Sequence, residues 1–207
     1  FGYLATSITD IFGSDSAIQQ VLASGATSPD ELVGAFIATI LTLVGILASI
    51  SGVQTMLKVR SEEIEDRVEP IIATATARPR YYLSNVVIAL GAPAVYVVIA
   101  GSLIGLLAAG ADIGVTFGDV LLQAVATVPA VWTVVALAVA VVGARPQVSI
   151  AAWVGVLASF GLTILGPTFN LWDWILAISP FWHVPKVSLP DHDWGGLLWI
   201  SLVTVAF

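Results

Sequence analysis

The 207-residue chain has no cysteine, which excludes disulfides, thiolate metal sites and a cysteine nucleophile. Its two histidines, His183 and His192, are too few to argue for a metal, and neither has a hydrolase nucleophile motif around it. Charge is also scarce: 10% of residues are charged, against roughly 25% in a soluble domain. There are only two lysines. Lys58 lies between Leu57 and Val59, and Lys186 between Pro185 and Val187, so neither can be the Gly-Lys-Ser/Thr lysine of a P-loop. No catalytic residue and no bound cofactor are expected. The net charge of -7 comes from acids in loops and in one mixed segment, and nucleic acid is not an expected partner.

What the chain has instead is apolar length. Hydrophobic residues make up 58% of it, and the mean hydropathy is +0.99. Runs 32–57, 82–109, 120–144 and 148–165 contain no Asp, Glu, Lys or Arg. One ionisable residue at mid-bilayer costs about 2.5 to 3.5 kcal/mol, so four such runs read as four membrane spans. Barrel strands would appear as short alternating segments, so the spans are expected to be helices. A fifth run, 194–207, is shorter than the roughly 20 residues needed to cross. The expected fold is an all-α polytopic membrane protein, of which this chain is a piece. The 18 glycines, with many Ala, Ser and Thr, suit closely approaching helices.

Five of the seven basic residues, Lys58, Arg60, Arg67, Arg78 and Arg80, fall between the first two spans, with Glu62, Glu63, Glu65, Asp66 and Glu69 among them. The positive-inside rule places segment 58–81 and Arg145 in the cytoplasm, and 1–31, 110–119 and 166–193 outside. In the first of these, Ile8, Ile11, Phe12, Ile18, Val21 and Leu22 recur at helical spacing. This region is either a helix lying on the outer interface or a loose outer loop. No Asp, Glu, Lys, Arg or His lies within the spans to bind a coupling ion, which turns attention to the cytoplasmic segment.

In that segment Glu63 and Arg67 form an i,i+4 pair on a helix continuing out of the membrane. Pro70 can open a second, short helix, with Glu69 at its positive end and Ile71 and Ile72 as its apolar face. A partner's groove can hold such a helix. The alternative is a solvated charged loop that only sets topology. In the outer stretch 166–193, Trp172, Trp174 and Trp182 stand among Pro167, Pro180, Pro185 and Pro190, with Trp194 just beyond, and Asn170 is placed to cap a short helix over 171–178. These aromatics read as interfacial anchors or, at Phe181 and Trp182, as an outer gate. His183 reads as structural or solvent-facing rather than as a ligand.

Across Glu62, Glu63, Arg67, Glu69, Pro70, Ile71, Ile72, Ala73, Thr74 and Arg78 the chain resembles the ABC-2 group of permeases, particularly the bacterial antibiotic and tetronasin-resistance exporters. Asp66 replaces that pattern's usual glycine and Ala75 its usual proline. Downstream, Pro129-Ala130-Val131-Trp132, Gly166-Pro167 and Ser179-Pro180-Phe181-Trp182-His183-Val184-Pro185 recur at similar intervals. The resemblance implies a six-span half-permease of the type V exporter kind, beginning at the end of its first span and stopping inside its sixth. It looks like the second half of a fused pair in the bacterial plasma membrane. It further implies a cytoplasmic P-loop ATPase partner carrying ATP and Mg, which couples through Glu62, Glu63, Arg67, Glu69, Pro70, Ile71, Ile72 and Arg78. A translocation path bordered by the first full span and 148–165 makes Phe36, Thr39, Thr42, Ser49, Gln54, Trp153 and Phe160 candidate lining residues. The expected cargo is a hydrophobic antibiotic, another drug or a lipid-like molecule. Two rival readings stay open, an ion- or proton-coupled secondary transporter and a non-transporting membrane scaffold.

Overall fold

The computed structural model describes residues 29–65, 78–111, 114–144, 150–187 and 194–206. Every regular element among them is helical. Three helices are long: α1 (Pro29–Ile64), α2 (Arg78–Ala111) and α3 (Phe117–Ala144). Then come α4 (Ala152–Phe160), continued by a π-helical turn over Gly161–Leu165, the short α5 (Asp173–Leu176), a 3₁₀ turn (Pro180–His183) and α6 (Gly195–Ala206). The first three are long and apolar enough to cross a membrane, and the molecule is an all-α membrane protein.

α1 has 36 residues, about 54 Å at 1.5 Å per residue. The hydrocarbon core is about 30 Å thick, so this helix outruns it and carries Lys58, Arg60 and Glu62 beyond the apolar run. Of the run 148–165, residues 148 and 149 lie outside the described part, and the rest is apolar helix over Ala152–Leu165. Those 14 residues span about 21 Å, less than a full crossing. The π-helical turn widens the helix just before Gly166-Pro167, where a proline ends regular pairing. The terminal run is helical over 12 residues, Gly195–Ala206.

α3 is the central element and packs against α1, α2, α4, α6 and the 3₁₀ turn. Its sequence explains this position, because Ala124, Ala126, Ala130, Ala136 and Ala138 are all buried and let neighbours come close on several sides. The main core joins Leu41, Ile46 and Val53 of α1 with Val97 of α2, Val120, Val131 and Val134 of α3, Val156 of α4 and Phe181. A separate, smaller cluster of Met56, Ala89, Val135 and Val142 closes the end that carries Lys58, called inner after the positive-inside expectation, with Tyr82 packed against it.

Two prolines sit inside spans, Pro93 in α2 and Pro129 in α3. Pro93 has no N–H to give the Ala89 carbonyl. That oxygen faces α1 at Gly52, where an added β-carbon would lie 2.6 Å from it. At the next residue the Trp132 indole N–H donates to the Leu90 carbonyl at 3.0 Å, tying α3 to the same stretch of α2. Farther out, Gly101 of α2 lies directly on Ala124 of α3, with no room for a side chain.

The outer entry of α3 is closed by a reciprocal cap. The Thr116 hydroxyl donates to the Asp119 carboxylate at 2.7 Å and accepts from the Asp119 backbone N–H at 3.2 Å, while the Thr116 N–H donates to the same carboxylate at 3.3 Å. This capping box uses Asp where Glu or Gln is usual. Asn170, expected as a helix cap, takes a left-handed conformation at φ 49 instead. Trp172 precedes α5 without any side-chain cap. The chain must reverse after Gly166-Pro167, and Asn is among the few side chains that tolerate this backbone region.

Candidate functional site

The inner end of the bundle is built by the last turns of α1 and α3 and the first turn of α2. On α1, Lys58 and Glu62 form an i,i+4 ion pair with Nζ 3.7 Å from Oε1. The other Glu62 oxygen accepts a 2.6 Å hydrogen bond from the Tyr81 phenol of α2. Tyr82 turns to the other side and donates to the Val139 carbonyl of α3 at 2.9 Å. Of the expected coupling residues, then, Glu62 is the one whose side chain is seen in place. Glu63 and Arg78 contribute backbone to α1 and α2, but their side chains lie outside the described residues, as do Arg67, Glu69, Pro70, Ile71 and Ile72. The expected Glu63–Arg67 pair and the outer helix before residue 29 fall there too.

In the membrane interior the expected lining residues do not converge. Phe36, Thr39 and Gln54 lie on the exposed face of α1, Thr42 is half-buried, and Ser49 is fully buried. Three of their hydroxyls are already engaged within the helix. Thr39 donates to the Ala35 carbonyl and Thr42 to that of Ala38, both at 2.9 Å, and Ser49 to that of Ile46 at 2.6 Å. Side chains of this kind commonly satisfy themselves on their own backbone. Trp153 on α4 packs against the main core, whereas Phe160 at the end of that helix is exposed. Between α2 and α3 runs an entirely apolar groove of about 460 Å³ lined by Ala94, Val95, Val98, Ile99, Val125, Val128, Pro129 and Trp132.

At the outer end the 3₁₀ turn docks onto the bundle. Phe181 is buried against Gly45 of α1 and near Thr127 and Val131 of α3, where a β-carbon at position 45 would meet all three within 3.2 Å. The adjacent Trp182 points outward and is exposed, so the two expected gate residues have opposite environments. His183 is structural, its Nε2 lying 2.9 Å from the Ala177 carbonyl. Sequence reasoning missed the residue that secures this segment. Gln123, buried in α3, donates from Nε2 to the Pro185 carbonyl at 3.0 Å and accepts from the Val187 N–H at 2.8 Å. Its signal was its position as the sole side-chain amide in run 120–144. A second lock joins the Thr163 and Ser179 hydroxyls at 2.7 Å. Among the described residues no group of His, Cys, Asp or Glu is placed to hold a metal.

Among the described residues the arrangement is an apolar bundle with a polar clasp at one end, a hydrogen-bonded cap at the other and a charged helix end that runs on past the apolar stretch. Comparison with known proteins gives this architecture a family. The model of "Multidrug efflux system permease Rv1217c, C-terminal domain" matches residues 1–207. The multidrug efflux system permease protein Rv1217c of Mycobacterium tuberculosis (strain ATCC 25618 / H37Rv) is 31% identical over 214 residues, covering 99% of this chain and 38% of the relative. The chain thus spans under two fifths of that relative's length, and it belongs to the family defined by the C-terminal domain of this multidrug efflux permease.

Proposed function

We propose that the chain is the membrane-embedded half of an ATP-driven exporter of the ABC-2 type, moving hydrophobic antibiotics, drugs or lipid-like molecules out of a bacterial cell. The observation that carries this reading is the mixed-charge run from Lys58 to Arg78, which begins on the last turns of α1, resembles the ABC-2 pattern from Glu62 onward and is flanked by runs free of ionisable residues. Such spans provide no site for a coupling ion, so the driving force enters at the cytoplasmic segment 58–81. The relative's description as a multidrug efflux system permease supports drug export as the task. The energy comes from separate P-loop ATPase subunits that bind ATP and Mg, and a second permease half completes the path. Closure of the ATPases would shift the spans between two packed arrangements, a rigid-body switch.

The test is efflux of a hydrophobic dye, rhodamine 6G, from proteoliposomes containing the full-length permease and its co-expressed ATPase. Export should require ATP, stop with vanadate and persist when a protonophore collapses the ion gradients. Export abolished by the protonophore but insensitive to vanadate would replace the reading with an ion-coupled transporter, and no export under either condition would favour a scaffold.

A further inference from the structure

We infer that the adjacent tyrosines Tyr81 and Tyr82 are a clasp that makes the inner ends of α1, α2 and α3 move as one body, so that a displacement delivered at the end of α1 reaches α3. Successive residues on a helix point about 100° apart, so a pair of tyrosines in one turn can face two different neighbours. Tyr81 holds the Glu62 carboxylate of α1 at 2.6 Å, in the short range of an O–H donor on a charged acceptor. Tyr82 holds the Val139 carbonyl of α3 at 2.9 Å. Opposite that phenol α3 carries Gly143, where an added β-carbon would stand 3.1 Å from the Tyr82 oxygen, so the third helix makes room for it.

Two further features make this more than a pair of surface hydrogen bonds. Glu62 is held from both sides, by Tyr81 on one oxygen and Lys58 on the other, which fixes its rotamer. The aromatic body of Tyr82 also packs on the buried inner cluster of Met56, Ala89, Val135 and Val142, which draws one or more residues from each of the three helices. The inner end therefore has its own apolar core, distinct from the main one, with two phenol oxygens tying its rim. Tyr81 and Tyr82 act as positioning residues. The inference rests on the reading of segment 58–81 as the place where the ATPase acts.

The experiment compares the full-length wild-type permease, Tyr81→Phe, Glu62→Gln and the double variant, each reconstituted with its ATPase and assayed for ATP hydrolysed per rhodamine 6G exported. A charge-assisted hydrogen bond shifts an equilibrium by about tenfold when buried and less when partly exposed, so Tyr81→Phe should raise that ratio at least about threefold with ATPase binding retained. Glu62→Gln, which keeps an acceptor but no charge, should rise less, and the double variant should be no worse than Tyr81→Phe alone. In parallel, nitroxide labels on Ser61→Cys and Ala144→Cys should give one narrow distance distribution in an otherwise wild-type background and a broader one with Tyr81→Phe. A wild-type ratio and an unbroadened distance in Tyr81→Phe overturn the clasp while leaving the exporter reading standing. Additive effects in the double variant also overturn it. If Tyr81→Phe fails to fold, Glu62→Gln decides alone, and a wild-type ratio there counts against the clasp. If wild type binds no ATPase, the exporter reading falls and the clasp falls with it.

Discussion

Gln123 shows how one side chain can hold a segment that no apolar contact would orient. Its amide takes the place of a neighbouring strand for residues 185–187, giving one hydrogen bond and accepting another in a buried setting. Gln123→Ala would leave the Pro185 carbonyl and the Val187 N–H unpaired, at a cost of about 2 kcal/mol. Hydrogen exchange at the Val187 amide is therefore expected to accelerate by roughly tenfold or more while exchange in α1 is unchanged. An unaltered rate would mean the clamp contributes nothing. The sequence made Thr39, Thr42 and Ser49 more conspicuous than Gln123, because three hydroxyls in an apolar run draw attention. A hydroxyl can turn back to the carbonyl three or four residues before it and vanish as a site, whereas the buried Gln123 amide has both a donor and an acceptor to satisfy and finds the partners for them in residues 185–187. That difference, rather than position in the run, separates the satisfied residues from the one that organises the outer cap.

At the scale of elements, close approach of α2 and α3 depends on Gly101, which rests on Ala124, and α1 meets α2 at Gly52. Gly91, two residues before Pro93 on α2, has nothing within 4 Å of where its β-carbon would be. The two glycines should therefore respond with opposite signs. Gly101→Leu should lower the unfolding temperature in detergent through overpacking of about 1 to 3 kcal/mol or more. Gly91→Ala should leave it unchanged or raise it, since alanine is favoured over glycine in a helix by up to about 1 kcal/mol. The reverse order in a thermal melt would contradict the packing. Thr116→Ala, which opens the cap of α3, should cost about 1 kcal/mol in the same assay. Three spans were legible as charge-free runs because the bilayer punishes charge at every position along them. The end of the fourth run was not. Hydropathy does not register a π-helical turn, and the reversal at Asn170 depends on backbone conformation that a capping pattern imitates.

For the whole molecule, the arrangement of charge decides which end faces which side. Lys58 is 76% exposed at one end of the bundle and Lys186 is exposed at the other, and the positive-inside rule puts the Lys58 end inside. A membrane-impermeant amine reagent applied to intact cells should modify Lys186 and spare Lys58 until the membrane is opened, as read by peptide mass spectrometry. Modification of Lys58 in sealed cells would invert the orientation. Membership of an efflux-permease family was the coarser part of what the ABC-2 resemblance from Glu62 to Arg78 implied, and the family match over residues 1–207 bears out that part. The path of the cargo was not legible. Phe36, Gln54 and Phe160 are exposed and Ser49 is buried, and on the proposed reading the route runs between two halves, of which one chain segment shows only its own face.

The account depends on segment 58–81 as the entry point for energy. Its most direct test is affinity purification of the full-length permease in mild detergent, comparing wild type with Glu63→Ala/Arg67→Ala. The account predicts that a P-loop ATPase co-purifies in stoichiometric amount with wild type and is lost, or hydrolyses ATP without responding to the permease, in the double variant. Wild-type permease that brings down no nucleotide-binding subunit, or a double variant indistinguishable from it, would contradict the account.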